Sequence, residues 1–210
     1  MRPHLRKLVL VHGLWDTPNV FDRLVSYISI DDLIIFTPHL LHDGGRIGLK
    51  KLAIELDRLI LERYGHDQFI ELLGFSMGGI ICRIWLQQMG GAHRTDSFIS
   101  IGSPHYGTYT AQVIPHWLFR GVADMKRGSQ LIQELNNNIQ LLHTVRCSSY
   151  FCRWDLMTFP GWQAVLPIGD HFDIPVLTHK DLIANPRSLR ILAKTINFSQ
   201  LRDQNDVLRP

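Results

Sequence analysis

Gly74-Phe75-Ser76-Met77-Gly78-Gly79 follows the apolar run Phe69-Ile70-Glu71-Leu72-Leu73 and leads into a helix-like stretch from Met77 to about Met89. The hexapeptide holds a G-x-S-x-G pattern with a strand in front and a helix behind. A serine that attacks carbonyls needs a sharp strand-to-helix turn, so that its hydroxyl stands clear of the backbone. Glycines at 74 and 78 remove the side chains that would collide in such a turn. The helix start also offers free N–H groups and partial positive charge to an oxyanion. These features mark Ser76 as a candidate nucleophile.

Strand-like and helix-like segments alternate on either side of this turn, as expected of an α/β fold with a mainly parallel sheet. Leu8 to Val11 reads as the first strand, apolar on both faces. Thr17-Pro18 predicts a capped helix start, with Phe21, Leu24, Val25 and Ile28 as its stripe. Leu33 to Phe36 is the second strand. Leu49, Leu52, Ala53, Leu56, Leu59 and Ile60 then keep helical spacing up to Gly65. Phe69 to Leu73 is the third strand and Phe98 to Ile101 the fourth, closed by Gly102-Ser103-Pro104. Residues 105–146 form an insertion longer than an ordinary connection, with a helix expected over Gln130 to Leu142. Ser149 to Cys152 and Pro175 to Leu177 are the expected fifth and sixth strands. Asn185-Pro186 opens a final helix. The whole of 1–210 reads as one domain of about six strands, with a helical cap insertion at about 105–146.

A serine nucleophile needs a base, and the base an orienting acid. In this kind of fold they follow the serine in the order acid, then histidine. The histidines downstream of Ser76 are His93, His105, His116, His143, His171 and His179. The base must lie beyond the carboxyl end of the last strand. His179 follows Pro175-Val176-Leu177-Thr178, whereas His171 precedes that strand. Asp155 follows the fifth strand directly, while Asp170 and Asp173 lie between strands. The expected triad is therefore Ser76, Asp155 and His179. The oxyanion donors are expected from Met77 and from the loop His12-Gly13-Leu14-Trp15-Asp16, with Leu14 preferred to Trp15. Substrate contacts are expected from Trp15, His105, Trp117 and Phe119. His105 reads either as a wall of the site or as a polar contact. The Trp117-Leu118-Phe119 cluster, with Ile114, reads either as an acyl-binding cap or as core.

Val11-His12-Gly13-Leu14-Trp15, the serine turn, Gly102-Ser103-Pro104-His105-Tyr106-Gly107-Thr108, Asp155-Leu156-Met157 and Thr178-His179 stand in the order found in α/β-hydrolases. More closely, the chain resembles the small bacterial lipase/esterase group that includes cyanobacterial triacylglycerol-lipase-like proteins. The similarity runs from about Leu8 to Ile196. The Met125 to Leu135 segment also resembles that group, in which a Gly-Ser begins a helix over the site. The resemblance implies hydrolysis of carboxylic esters without cofactor or metal. Acyl transfer, thioester hydrolysis and a non-catalytic binding role use the same fold and remain open.

The other signals are weaker. Formal net charge is +3 with scattered cations, too thin for a nucleic-acid partner. No run approaches the roughly 20 apolar residues of a membrane span, which leaves room only for transient contact with a membrane surface. Cys82, Cys147 and Cys152 form no C-x-x-C pair, and the start shows no signal-peptide pattern, so a cytoplasmic protein is expected. His12 is expected to brace the oxyanion loop. His39 and His42 have metal-like H-x-x-H spacing but no nearby cysteine or carboxylate pair.

Overall fold

The computed structural model describes residues 5–112 and 119–206, with side chains to position 197. Its centre is a six-stranded, all-parallel sheet in the order β2-β1-β3-β4-β5-β6. The strands are β1 (Arg6–Val11), β2 (Leu33–Phe36), β3 (Ile70–Phe75), β4 (Thr95–Ile101), β5 (Arg146–Phe151) and β6 (Asp170–Asp173). Side chains alternate across a strand, so each central strand feeds two cores. Val9, Val11, Leu72 and Phe98 point to the face covered by α2 (Leu49–Tyr64) and α3 (Met77–Gln88). Leu8, Leu10, Leu73, Phe75, Ile99 and Ile101 point to the opposite face. There α1 (Asp22–Val25), α6 (Asp181–Ala184) and α7 (Pro186–Asp206) pack together. Between β4 and β5 run α4 (Arg120–Asp124) and α5 (Gln130–Asn137). Leu131, Ile132 and Leu135 of α5 join the first core. This part of the insertion is thus built into the flank of α3.

Most helix boundaries follow the expected punctuation. Gly65 at φ +72° ends α2. Asn185 Oδ1 accepts the Arg187 N–H at the start of α7. Ser129 Oγ accepts the Ile132 N–H and caps α5, which ends at Asn137 in place of Leu142; a 3-10 turn follows at Ile139–Leu142. Thr17-Pro18 opens a 3-10 turn (Pro18–Phe21) without a side-chain cap, and α1 is only one turn long.

The sixth strand departs from expectation. It is Asp170–Asp173, all four residues exposed, and not Pro175 to Leu177. An edge strand has one neighbour and can be polar on both faces, which conceals it from an apolar-run reading. Pro175 has no N–H for a ladder. Ile174 makes the last bond to Phe151 O, and the Val176 N–H turns back to Ile174 O. Asp170, His171 and Asp173 therefore lie on the strand, and Asp173 pairs with Arg153 at 2.5 Å.

Glu71 is the one acid in the buried strand β3. Arg6 grips it with Nε at 2.5 Å and Nη2 at 2.7 Å, and Ser97 Oγ donates to it at 3.2 Å. Arg6 Nη2 also reaches Ile196 O, tying α7 to the amino edge of the sheet. Removing one partner of a buried pair leaves the other charge uncompensated. Glu71→Ala is expected to lower unfolding free energy by about 3 kcal/mol in urea titrations, with little change in the slope.

Candidate active site

The order 2-1-3-4-5-6 reverses direction between β1 and β3. A crevice opens at such a switch point beyond the carboxyl ends of the strands. Two segments flank it: the loop after β1 and the turn after β3. Ser76 caps α3 with φ +54° and ψ −123°, a strained setting for a residue with a Cβ. Its N–H is fixed by Ile101 O at 2.8 Å. Three glycines make the turn fit. A Cβ on Gly74 would lie 2.5 Å from Gly79 Cα, one on Gly78 2.1 Å from Val11 O, and one on Gly79 2.0 Å from Ser103 Oγ.

Asp155 and His179 meet at this end of the sheet. His179 Nδ1 lies 2.6 Å from Asp155 Oδ2. The other carboxylate oxygen, Oδ1, accepts the N–H groups of Met157 (2.9 Å) and Thr158 (3.1 Å). Asp155 is thereby buried and fixed in orientation. With Nδ1 donating to the carboxylate, Nε2 carries the free lone pair, and it is buried without a hydrogen-bond partner. The imidazole stacks on Phe75 at 4.9 Å between centroids, next to Ser76 in the chain. Gly102 also lies against it, where a Cβ would stand 3.0 Å from His179 Cε1. Thr158 Oγ1 donates to Gly102 O, joining the acid's loop to the surface under the imidazole. Phe75, Gly102 and Thr158 escape a sequence reading because their work is contact across the fold. Only the Gly-Ser-Pro turn after β4 hinted at Gly102.

The loop after β1 is held by His12. Its Nε2 accepts the Leu40 N–H at 3.1 Å, so Nδ1 carries the proton and donates to Gly13 O at 3.0 Å. Gly13 closes on the serine: a Cβ there would be 3.0 Å from Ser76 Cβ. The N–H groups of Leu14 and Met77 have no acceptor among the described residues. His39 and His42 lie 5.7 and 5.8 Å from His12 between ring centroids. With His12 committed on both nitrogens, this cluster lacks a metal-ligand set, and none occurs elsewhere among the described residues.

The expected substrate contacts fall in different places. Trp15 is 63% exposed on the loop after β1, at φ +62°. Phe119 is half-buried at the start of α4, beneath the Arg46 guanidinium. Ile114, Trp117 and Leu118 lie outside the described residues. His105 is fully buried. Arg83 Nη1 donates toward its Nδ1 at 3.5 Å, and Ser100 Oγ lies 2.6 Å from Nε2. It belongs to a polar brace between α3 and α5 that includes Arg83, Gln87 and Asn136, so it corrects the expectation of a substrate contact. Arg83 is fully buried with no carboxylate partner among the described residues, and burial pulls its pKa down to about 10. The three cysteines are buried free thiols; burial pushes Cys147 and Cys152 up to about 12.

Two of these histidines make stability depend on pH. Burial lowers the pKa of both His12 and His105, the latter further because of the Arg83 charge. The unfolded chain therefore takes up protons first as pH falls below 6.5, the ordinary value. Their contribution is complete above that pH and declines below it, by at most about 1.4 kcal/mol per pH unit for each histidine. The melting temperature is expected to fall from pH 6.5 to 5, and His105→Gln to flatten that slope.

With a parallel sheet of this order and the loops that carry Gly13, Ser76, Asp155 and His179 at its carboxyl edge, the chain is an α/β-hydrolase in fold. Solved structures agree. The mature lipase BlEst2 of Bacillus licheniformis superposes with a TM-score of 0.71 at 16% identity, over 95% of this chain and 92% of that one. Lipase B of Aspergillus fumigatus gives 0.72 at 15% identity, over 91% of this chain and 52% of that one. Within this fold the chain belongs to the palmitoyl protein thioesterase family, whose model matches residues 8–153. The lysosomal thioesterase PPT2 of Homo sapiens is 32% identical over 123 residues, 56% of this chain and 40% of that protein. Its Mus musculus counterpart is 31% identical over 124 residues, with the same coverage. The chain thus spans about two fifths of the length of these relatives. The likeness to bacterial lipases agrees with the superfamily; the matched family is one of thioesterases.

Proposed function

We propose that the protein is a serine hydrolase that cleaves acyl thioesters. The observation that carries this reading is the 2.6 Å contact between Asp155 and His179, with Nε2 left unpartnered beside the strained Phe75-Ser76 turn. Ser76 Oγ attacks the carbonyl carbon as His179 Nε2 takes its proton. Asp155 holds the tautomer and stabilises the imidazolium. The Leu14 and Met77 N–H groups receive the oxyanion, each contributing about 3 kcal/mol at the transition state. The carbon–sulfur bond breaks, and His179 gives its proton to the departing thiolate. Water, deprotonated by the same nitrogen, then releases the acid and restores Ser76. The scheme employs neither metal nor cofactor. Trp15, Phe119 and Trp117 are proposed contacts for the acyl chain.

Family membership favours a thioester over an oxyester. An oxyester is the second reading, favoured by the apolar surface on the surrounding loops, where Trp15, Trp154, Leu156 and Leu177 are exposed. Such surface suits a long acyl chain or brief contact with a membrane; among the described residues no helix is long and apolar enough to cross one. A cytoplasmic setting fits the three free thiols, whereas the relatives' names place them in the lysosome. A fluorophosphonate probe is expected to label the peptide containing Ser76. Matched thioester and oxyester series from C2 to C16 then rank the substrates. An unlabelled protein that turns over neither series would sink the proposal.

A further inference from the structure

A cavity of about 420 Å³ lies on the flank of the insertion, and no triad residue lines it. Three segments enclose it: the loop after β4 with Tyr106, the approach to α5 with Arg127 and then Asn136 on the helix, and the 3-10 turn Gly161–Ala164 with Trp162 and Gln163. These walls are tied together. The Tyr106 N–H donates to Gln163 O at 3.2 Å. Asn136 Nδ2 donates to His105 O at 3.2 Å. A Cβ on Gly107 would stand 2.6 Å from Arg127 Cα, so the loop after β4 rests directly on the approach to α5. The hollow is therefore built into the fold, and its size is that of a small-molecule site.

Its polar groups define the occupant. Gln163 is only 9% exposed, yet its side-chain amide makes no hydrogen bond among the described residues, and Oε1 is buried without a partner. A desolvated amide in that state is stabilised by a ligand that brings the missing polar atom. The Arg127 guanidinium lies over the Tyr109 ring at 4.9 Å and makes no ion pair or hydrogen bond among the described residues. No Asp or Glu lines the cavity. Behind the wall, Asn136 Oδ1 accepts from Arg83 Nη2 at 3.0 Å, and Arg83 is a buried cation without a carboxylate partner among the described residues. Two cations and no acid make the cavity attractive to an anion. Trp162, 62% exposed, and Tyr106 add aromatic surface for a flat apolar body. We infer that this cavity binds a small aromatic carboxylate that also carries an O–H donor. The carboxylate meets Arg127, the ring lies against Trp162 and Tyr106, and the hydroxyl bonds to the Gln163 amide. This site is separate from the proposed hydrolysis and does not rest on it.

The test titrates 3-(4-hydroxyphenyl)propionate into the full chain by calorimetry, with and without prior fluorophosphonate treatment. Binding is expected with a Kd at or below about 1 mM, the scale for so small a ligand, and is expected to be the same in both samples. The corresponding propionamide, which lacks the charge, is expected to bind about 3- to 5-fold more weakly, as for a partly exposed ion pair. 3-(4-Methoxyphenyl)propionate, which lacks the donor, is expected to lose about 5-fold. Arg127→Met should erase the first difference and Gln163→Met the second, while Trp162→Ala should weaken all three ligands. Arg127 and Trp162 are exposed, so their variants are expected to keep the wild-type melting temperature and to decide the matter even if Gln163→Met does not fold. Binding that disappears on fluorophosphonate treatment would place the probe at the triad and overturn the inference. So would an amide that binds as tightly as the acid, an unchanged Kd in both Arg127→Met and Trp162→Ala, or no heat of binding up to about 10 mM. A protein that takes no label but still binds the probe with the expected losses would refute the nucleophile and leave this site standing.

Discussion

Asp155→Asn is expected to lower kcat by about 10⁴ while leaving the fold and melting temperature nearly unchanged. The expectation follows from how the carboxylate is shared. Oδ1 accepts two backbone N–H groups, from Met157 and Thr158. An asparagine must keep its carbonyl oxygen there, because its NH2 would face two donors. The NH2 then faces His179 Nδ1. That nitrogen can meet it only as an acceptor, which moves the imidazole proton to Nε2, the atom proposed to receive the Ser76 proton. The side chain stays in place and the tautomer is wrong. Steady-state kinetics alongside circular dichroism melting would check this. A loss below tenfold would mean that Asp155 does not orient the base. A loss of structure would mean that the carboxylate chiefly supports the loop.

How much of this site is legible in the chain depends on where the constraint resides. The serine turn is local: strand, tight turn and helix are consecutive, and the glycines that permit φ +54° at Ser76 are its neighbours. Asp155 and His179 were reachable from chain order and strand counting, even though the sixth strand lies nearer the amino terminus than its apolar residues suggest. The misplacement did not matter, because both segments precede His179 and leave it beyond the carboxyl edge. Apolar runs reveal strands that are buried on both faces, such as β1 and β3; a polar edge strand held by one neighbour leaves no such trace. Contacts that join distant segments are illegible for a related reason. Nothing near His105 indicates that Arg83, 22 residues earlier, occupies the space beneath it.

The same argument applies most strongly to Gly102, and it yields a second large effect. In the sequence Gly102 only closes β4. In the fold it has φ +57°, and a Cβ there would stand 2.9 Å from Leu182 Cδ1, 3.0 Å from His179 Cε1 and 3.2 Å from His179 Nδ1. The imidazole is confined between this glycine and the Phe75 ring, so it cannot retreat without giving up the stack or the bond to Asp155. Gly102→Ala is therefore expected to push the imidazole by a few tenths of an ångström and to reduce kcat by about 10-fold, a part of the 10²-fold cost of a full ångström. The positive φ adds a stability loss of about 1–2 kcal/mol from backbone strain. The two effects can be told apart. Leu182→Ala in the same background removes the Leu182 clash and leaves the imidazole contact, so it should not restore turnover. KM is expected to change little, because the added methyl faces Leu182 and the imidazole. If Gly102→Ala kept wild-type kcat with only a lowered melting temperature, the glycine would serve the turn alone. The close fit of the imidazole would then have no part in catalysis.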